Sequence, residues 1–377
     1  MTPESAKAGC GPPATTTSPL PRPATESVLR GFIRRTFLAG SLAATSMNTA
    51  SSASRGSRID SQSHLFSEEF LKLLEKRKTS PYVYRKGEDR YVVVGEWHRR
   101  LMPKHTDAAA KIADMDKAGI EMTALSINDP GPELFGSDST AMAVMLNDFI
   151  ADNVRQHPKR FFGLATLPFH SPDAMLKEFD RAVGKLGMKG ILLYSNLDGK
   201  FPDEPAYRPL YAEAERRGIP ILLHPALPMT YSAVSDYQMV PMLGLMFDTT
   251  IALCRLILSG VLDKHPNLKL VCPHVGGALP FLIGRVDHQT MVLKRGAENI
   301  RMAPSEYLKR IYLDTVSPIP MAIRYGIDFV GVDRMLYSSD HPWVDPSLIA
   351  GHVEGLKLSA ADEAKVFTGN AKRLFNL

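Results

Sequence analysis

The sequence is poor in cysteine and has neither a strong excess of charge nor an apolar run that we expect to span a membrane. Only three cysteines occur in 377 residues, and none lies in a Cys/His cluster of the kind that holds structural zinc. Cys10 lies in the N-terminal leader, and we expect Cys254 and Cys272 to be buried thiols rather than a disulfide. These deficits exclude a zinc finger and a small disulfide-stabilised scaffold.

The charge is also nearly balanced, with 45 basic and 40 acidic side chains and a net charge of +5. Residues 1–53 hold a surplus of three positive charges, so the rest of the chain holds a surplus of two. A nucleic-acid-binding domain normally concentrates Lys and Arg on one face, and nothing of that kind is present here. We therefore expect no nucleic-acid partner.

Residues 1–53 are predicted to be a targeting leader. The stretch 11–25 is rich in Pro, Thr and Ser, which is typical of disorder. Arg34 and Arg35 precede a run of small, mostly apolar residues, and Ser51-Ser52-Ala53 suits a cleavage site. This pattern resembles a twin-arginine export signal. It predicts export to the periplasm through the twin-arginine translocase, with no membrane attachment after cleavage.

The remaining chain, residues 54–377, alternates short apolar runs with helical patterns. Eight strands are predicted, at residues 57–61, 122–127, 161–167, 190–194, 220–223, 269–272, 311–314 and 335–338. Strands that alternate with helices form a parallel sheet, and eight of them close into a barrel. The fold class predicted is therefore α/β, a (β/α)8 barrel.

Residues 65–106 form an insertion after the first predicted strand. About 40 residues is too long for a simple connection in a compact domain, so a structure of its own is expected. The turn residues Gly87-Glu88-Asp89 lie between two short apolar runs and predict a hairpin. We expect the insertion to cover an active site at the mouth of the barrel.

Four residues suited to binding metal or moving protons follow separate apolar runs: His64, His224, His274 and Asp340. The carboxyl ends of barrel strands meet at one face, so these distant residues should converge there. Imidazole and carboxylate are ligands that zinc and manganese accept. The pattern predicts a metal site at the barrel mouth, with small-molecule chemistry beside it.

Several stretches carry a family resemblance when they are taken together: Phe247-Asp248-Thr249-Thr250, Pro273 through Pro280 with Gly284-Arg285, and Ser339 through Trp343. The sequence resembles the amidohydrolase superfamily over about residues 58–377. Within it, the sequence is similar to the branch containing aminocarboxymuconate-semialdehyde decarboxylase and γ-resorcylate decarboxylase. The resemblance implies the same barrel fold and a metal-dependent enzyme.

The resemblance also implies roles for single residues. His64 and His224 match metal ligands, and Asp340 matches a ligand that can also relay a proton. His274 matches the residue that activates or protonates. Arg285 matches an arginine that in some members reaches a neighbouring subunit and grips the substrate carboxylate, a task that suits its planar, two-pronged head. The alternative for Arg285 is a structural salt bridge.

Two departures from the family pattern bear on the metal. Gln62 stands where the first His of the His-x-His motif is expected, and it is either a weak oxygen ligand or a hydrogen-bonding neighbour of the ligands. Zn²⁺ is the first expectation, with Mn²⁺ as the alternative that an oxygen ligand would favour. Tyr194-Ser195-Asn196 stands where two-metal members place a lysine, so one metal ion is expected.

The function predicted is a mononuclear, metal-dependent carboxy-lyase that acts non-oxidatively on a small aromatic or unsaturated carboxylic acid. The alternatives are a metal-dependent hydrolase of a lactone, ester or amide, and a degenerate barrel that binds a ligand without turnover, suggested by Gln62. Trp343 and Phe66 are candidates for stacking on an aromatic substrate, with core packing as the alternative for both. The apolar helix at 241–264 is either a buried barrel helix or a dimer face, and Arg285 in a neighbour's site would require a homodimer.

Overall fold

The computed structural model describes residues 57–377. The predicted leader, including Arg34 and Arg35, lies outside the described residues. Within them the strands in chain order are β1 Arg58–His64, β2 Tyr82–Lys86, β3 Asp89–Val94, β4 Trp97–Leu101, β5 Ile120–Ser126, β6 Phe161–Ala165, β7 Gly190–Tyr194, β8 Ile221–His224, β9 Leu270–Cys272, β10 Tyr312–Asp314 and β11 Met335–Leu336.

Eight of these strands form one parallel sheet in the order β1-β5-β6-β7-β8-β9-β10-β11. The sheet closes on itself beyond the end of β11, where the backbone runs beside β1. Ser61 N–H donates to the Tyr337 carbonyl at 2.9 Å, and His64 N–H donates to the His341 carbonyl at 2.8 Å. A sheet whose two edges pair in this way is a barrel. The predicted (β/α)8 barrel is thus confirmed.

Helices flank the sheet and begin and end at residues that suit those positions. Ser171 caps the helix that opens with Pro172, and Gly119 and Gly218 end their helices with φ of 69° and 66°, where a side chain would be strained. The α-helices are Glu68–Glu75, Ala108–Ala118, Ser139–Gln156, Pro172–Gly184, Arg208–Arg217, Tyr231–Val234, Leu245–Leu258, Val261–Lys264, Leu279–Asp287, Pro304–Leu308, Pro320–Val330, Pro346–Gly355, Ala360–Ala364 and Asn370–Phe375.

The barrel has an apolar floor. The side chains that share this cluster come from the strands and from the C-terminal helix: Ile59, Ala124, Phe162, Leu164, Leu222, Val271, Tyr312, Leu336, Ala371, Leu374 and Phe375. The ring of Phe375 lies 4.9 Å from that of Phe162, so the last helix plugs the end of the barrel opposite the carboxyl ends of the strands. Cys254 and Cys272 are free thiols as predicted; Cys272 is fully buried, whereas Cys254 is only partly buried, contrary to expectation.

The segment between β1 and β5 contains two α-helices, Glu68–Glu75 and Ala108–Ala118, and between them a three-stranded antiparallel sheet of β2, β3 and β4. The predicted hairpin corresponds to β2 and β3, which pair from Tyr82↔Val93 to Lys86↔Asp89. The third strand, Trp97–Leu101, was not predicted. It pairs with β3 and brings Trp97 and Arg99 toward the barrel.

The sequence was expected to contain no apolar stretch long enough to span a membrane, and the structure corrects this expectation. The helical stretch Asp236–Leu258, 23 residues long, is long and apolar enough to cross a membrane by length and composition. Buried barrel helices meet the same two criteria, and half of this stretch is buried inside the protein. Asp248 within it is fully buried and accepts hydrogen bonds from neighbouring loops. These contacts are those of a helix packed on the barrel.

Candidate metal centre and active site

Three of the residues predicted to share a metal come together at the mouth of the barrel. His64 ends β1, His224 ends β8, and Asp340 follows β11, so each stands at the carboxyl end of a strand. Their ligand atoms all lie within 4.8 Å of one another. The rings of His64 and His224 are 4.5 Å apart and nearly perpendicular. Residues 276 positions apart in the chain therefore face one point.

The hydrogen bonds of the two histidines fix which nitrogen carries the proton. Nδ1 of His64 lies 3.0 Å from the Ile127 carbonyl, and Nδ1 of His224 lies 2.8 Å from the Pro225 carbonyl. A carbonyl only accepts, so both Nδ1 atoms carry hydrogen and both Nε2 atoms present a lone pair. A backbone partner of this kind commonly orients a metal-binding imidazole.

Asp340 lies at the centre of the group. Its Oδ1 is 3.0 Å from Nε2 of His64 and 3.8 Å from Nε2 of His224. Burial alone would raise the pKa of this carboxyl, but its closeness to His224, His274 and His64 outweighs burial and holds the pKa of Asp340 well below its usual range. Asp340 is therefore a carboxylate. Gln62 donates to the same oxygen through Nε2 at 3.1 Å.

This donor set suits a divalent metal. Two imidazole lone pairs face a carboxylate, and Nε2 of His224 is buried with no hydrogen-bond partner among residues 57–377. Negative and lone-pair groups packed together without a proton between them repel unless a cation lies among them. Two nitrogens and one carboxylate oxygen are a set that zinc and manganese accept. His64, His224 and Asp340 could therefore hold one metal ion.

His274 lies beside this group rather than within it. Its Nε2 is 3.6 Å from Oδ2 of Asp340, and its ring centre is 6.3 Å from that of His224. Burial by itself would lower the pKa of His274, but the nearby carboxylate of Asp340 raises it above its ordinary value. An imidazole that is readily protonated next to a carboxylate can act as a general acid.

The backbone around His274 is strained. His274 and Val275 have φ of 54° and 56°, in the left-handed region that a β-branched residue such as Val275 rarely enters. Asp340 has a φ of 59°. Such conformations cost about 1–3 kcal/mol each and persist where the surroundings enforce them, commonly at functional sites.

A cavity of about 930 Å³ opens above the group, and His224, His274 and Asp340 line it. Trp343 also lines it, as a substrate-stacking residue would. Phe66 does not: its side chain is 2% exposed and belongs to the hydrophobic core, which was the alternative for this residue. The cavity is mostly apolar, which suits a substrate with a ring and few charged groups.

Arg285 lies away from the cavity. It is exposed on the helix Leu279–Asp287, and it forms no salt bridge with any of the described residues, Asp287 included. The structural salt bridge considered as an alternative is thus not found in the described part of the chain. Within one subunit Arg285 does not reach the cavity.

Arg99 and Asp129 also line the cavity, and neither was assigned a role from the sequence. Arg99 on β4 is 7% exposed and grips Asp129 with both arms of its head, at 2.5 Å to Oδ1 and 3.1 Å to Oδ2. Its guanidinium lies 4.3 Å from the ring centre of Trp97. This buried ion pair ties the three-stranded sheet to the barrel mouth. The available signal was the position of Asp129 just past β5, the same position after a strand that singled out the histidines.

A second polar group lies behind the metal-type residues. The fully buried Nζ of Lys111 is 2.7 Å from Nδ1 of His341, whose Nε2 is 2.9 Å from Asp114. Burial lowers the pKa of Lys111 to about 7 and that of His341 to about 4. Because Lys111 and Asp114 both lie on the helix Ala108–Ala118, the side chain of His341 points toward that helix and away from the cavity. Its backbone, which pairs with β1, holds the neighbouring Asp340 in place.

Known proteins share this fold and sequence pattern. The amidohydrolase family profile matches residues 59–377. γ-Resorcylate decarboxylase from Rhizobium sp. (strain MTP-10005) is 30% identical over 308 residues, which cover 76% of this chain and 92% of that protein. The 2-amino-3-carboxymuconate-6-semialdehyde decarboxylase of Dictyostelium discoideum is 27% identical over 335 residues, with 86% and 92% covered. The solved structure of a dihydroxybenzoic acid decarboxylase from Polaromonas sp. JS666, with bound manganese and the inhibitor 2-nitroresorcinol, superposes with a TM-score of 0.73 at 25% identity, covering 85% of this chain and 97% of that one.

Proposed function

The chain belongs to the amidohydrolase family, and on that premise we propose that it is a metal-dependent, non-oxidative decarboxylase of a small aromatic carboxylic acid. The observation that carries the proposal is the convergence of His64, His224 and Asp340 on one point of the cavity wall, with His274 next to them. Relatives that are named decarboxylases match most of the chain, which favours this chemistry over hydrolysis.

His64, His224 and Asp340 would hold the metal, and a bound divalent ion would anchor the substrate's oxygen atoms and draw electron density from them. His274 lines the cavity and would give a proton to the ring carbon that bears the carboxylate. The bond from that carbon to the carboxylate then breaks, its electron pair returns to the ring, and CO₂ leaves. Asp340, 3.6 Å from His274, would favour the protonated imidazole, which would regain its proton from solvent after each turnover.

For the identity of the metal, Mn²⁺ is now favoured over the Zn²⁺ expected first. A solved relative carries manganese. Gln62 lies within hydrogen-bond distance of Asp340 and offers an amide oxygen rather than an imidazole if its side chain turns over. Oxygen ligands suit Mn²⁺ better than they suit Zn²⁺. One ion is proposed because Tyr194-Ser195-Asn196 supplies no lysine at the end of β7.

The test is to load purified protein with Mn²⁺ or Zn²⁺ and to measure CO₂ release from a panel of hydroxylated benzoic acids, with aryl esters and lactones in parallel. CO₂ release that needs the metal and is lost in His274→Gln supports the proposal. Ester or lactone turnover without CO₂ would replace it with the hydrolase. A protein that retains no metal from either solution would point to the ligand-binding barrel.

A homodimer is part of the proposal. Large apolar side chains are exposed near the cavity rim, among them Tyr237 at 86%, Met242 at 62% and Phe281 at 81%. A patch of this kind normally marks an interface. Arg285 is on the same helix as Phe281 and would reach the substrate carboxylate in a second copy's cavity. Sedimentation equilibrium should give twice the monomer mass, and mixing Arg285→Ala with His274→Gln subunits should restore part of the activity that each lacks alone.

Export to the periplasm is proposed from the leader sequence, in which Arg34 and Arg35 precede a run of small apolar residues. Fractionation of cells expressing the full chain should recover activity in the periplasm. Replacing both arginines by lysine should keep the protein in the cytoplasm. Periplasmic recovery of the lysine variant would contradict twin-arginine export.

The inserted segment, residues 65–106, is proposed to cover the active site. Trp97, Arg99 and Arg100 belong to the cavity wall. The buried pair of Arg99 with Asp129 would hold the cover closed. Arg99→Gln should therefore raise the rate at which the segment is cut by protease while it leaves the barrel intact.

A further inference from the structure

The helix Leu245–Leu258 bonds to both of the loops that carry a site histidine. Its stretch Phe247-Asp248-Thr249-Thr250 was singled out in the sequence, yet none of these four residues lines the cavity. Side chains two positions apart on a helix point in nearly opposite directions, because each residue turns the chain by about 100°. Asp248 and Thr250 can therefore serve two different loops.

Asp248 holds the loop after β8. Its carboxylate is 0% exposed and pairs with no Lys or Arg among residues 57–377. Instead it accepts three hydrogen bonds, from the Ser195 hydroxyl at 2.5 Å, from Nδ2 of Asn196 at 2.8 Å and from the Met229 N–H at 3.0 Å. A buried carboxylate without a cation is costly, so this one depends on all three donors.

The same donors reach the backbone of His224. Ser195 N–H donates to the His224 carbonyl at 2.7 Å, and the Ser195 hydroxyl accepts from Ala226 N–H at 3.1 Å. The Asp248 carboxylate thus fixes Ser195, and Ser195 fixes the residues on both sides of Pro225. Ser195 and Asn196 directly follow β7, so the end of that strand holds the loop that carries the proposed ligand His224.

Thr250 holds the loop after β9. Its hydroxyl accepts from the Ala278 N–H at 2.8 Å and donates to the Met246 carbonyl at 2.7 Å. A Cβ on Gly277 would lie only 2.7 Å from this hydroxyl, so the loop approaches the helix as closely as a glycine allows. His274 and Val275, the strained pair, lie at the start of this loop. The bond to Thr250 anchors its far end.

We propose that Asp248 and Thr250 are separate positioning residues, Asp248 for the proposed metal ligand His224 and Thr250 for the proposed proton donor His274. The inference rests on the proposed function, since it assigns these two residues to the two roles given there. One helix then sets the spacing between the metal and the acid. Its two contacts can be cut independently.

The experiment compares Asp248→Asn and Thr250→Val with a matched control, Thr249→Val. Thr249 is also 0% exposed and on the same helix, but its hydroxyl bonds only the Leu245 carbonyl one turn back. Mn²⁺ affinity is measured by calorimetry on protein stripped of metal, and kcat and KM are measured from CO₂ release. The three folded variants are compared at equal occupancy of Mn²⁺.

We expect Asp248→Asn to weaken Mn²⁺ binding by about 10- to 100-fold, the range found for residues that orient a metal ligand. Thr250→Val should leave Mn²⁺ affinity within about twofold and lower kcat about tenfold with KM unchanged, as expected when a group that acts in the transition state is misplaced. Thr249→Val should change neither. If Asp248→Asn does not fold, Ser195→Ala removes the same link more mildly and should weaken Mn²⁺ binding about tenfold.

Native Mn²⁺ affinity in Asp248→Asn, or parallel losses of affinity and kcat in both variants, would overturn the inference, because the helix would then act only on overall stability. Failure of the proposed function looks different. If native protein binds Mn²⁺ but releases no CO₂ from any acid, the decarboxylase proposal and the role of Thr250 fall together, while the Mn²⁺ arm still decides Asp248. If native protein binds no Mn²⁺, both proposals fall.

Discussion

The two ends of the barrel differ in chemistry and in strain. The floor is filled by apolar side chains from the strands and the C-terminal helix, including Phe162 and Phe375. The mouth holds buried imidazoles and carboxylates, and three of its residues, His274, Val275 and Asp340, have left-handed backbone conformations. The floor therefore stabilises the fold, whereas the strained backbone and buried polar groups at the mouth lower the free energy of unfolding. The two ends should respond oppositely to mutation.

The largest effect is expected at the mouth, from Asp340→Asn. The change removes the negative charge of the Asp340 carboxylate, which is itself a proposed metal ligand. Loss of a residue that only orients a ligand lowers metal affinity about 10- to 100-fold, so here the affinity should fall by more than about 100-fold. CO₂ release should fall by about three orders of magnitude or more. The unfolding midpoint of the metal-free protein should change little, because the Asn amide can still accept from Gln62 and can donate to a histidine nitrogen in place of the lost charge.

Calorimetric titration with Mn²⁺ and a thermal melt of the stripped protein check both parts of this prediction. A variant that unfolds at a much lower temperature than the native protein would show that Asp340 stabilises the fold, and the proposed division between the two ends would be lost.

At the floor, Phe375→Ala should do the reverse. The ring is 2% exposed and packs 4.9 Å from Phe162, so its loss should cost about 3–5 kcal/mol of the free energy of unfolding. Mn²⁺ affinity per folded molecule should not change. Urea unfolding measures the first quantity and calorimetry the second. Leu377→Ala, at an exposed position two residues on, is the control and should cost under about 0.5 kcal/mol.

The mouth should also govern how stability depends on pH. Burial raises the pKa of Glu133 to about 8, from an ordinary value of 4.5. Its Oε2 is buried without a partner in the described residues. A carboxyl with a raised pKa holds its proton in the folded state after the unfolded state has released it, so its contribution to stability is complete below about pH 4.5 and is lost progressively as the pH rises to about 8.

The Glu133→Gln side chain cannot ionise, so the variant should not lose this stability as the pH rises. Between pH 5 and pH 8.5 the native protein should lose stability relative to the variant by an amount on the order of a few kcal/mol. Urea unfolding at the two pH values gives the comparison. An equal difference between the two proteins at both pH values would mean that Glu133 keeps its ordinary pKa.

The smallest effect concerns Gln62, which donates to Asp340 in the structure. Gln62→Glu replaces that donor by a second carboxylate. It should tighten Mn²⁺ binding about tenfold if residue 62 can reach the ion, and should lower the stability of the stripped protein, where two carboxylates then repel. Gln62→Asn, which is one methylene shorter, is the control. Unchanged affinity in Gln62→Glu would mean that residue 62 stays outside the ligand set.

The sequence predicted the barrel because its signals are local. Strand β7 was predicted at its observed bounds, 190–194, since an apolar run there ends cleanly at turn residues. The first strand was predicted to end at Ser61 but runs to His64. Gln62 and His64 looked like loop residues because the pairing that buries them, with Asp340 and His341, comes from the far end of the chain. Barrel closure cannot be seen in a local window.

The same limit explains the other errors. The helix predicted at 241–264 consists of a π-helical turn, Val240–Gly244, that continues into Leu245–Leu258, and of a separate helix Val261–Lys264 after a break at Gly260, where φ is 77°. An apolar pattern runs through that break and hides it. The charged residues of strand β4 are typical of a surface loop. The side chain of Arg99 is nevertheless buried, because it forms an ion pair with Asp129 that the local sequence does not reveal. For the site, the four residues and their chemical roles could be predicted. The tautomers of the histidines, the left-handed backbone at the mouth and the hydrogen bonds from the helix Leu245–Leu258 depend on the tertiary structure and could not.

The central claim is that one divalent ion is shared by His64, His224 and Asp340. The most direct test is anomalous scattering at the manganese edge from a crystal of the protein grown with Mn²⁺. We expect a single strong peak at the barrel mouth, about 2.0–2.3 Å from Nε2 of both histidines and from the carboxylate of Asp340. Protein crystallised at saturating Mn²⁺ that shows no peak there, or a peak only elsewhere, would contradict it.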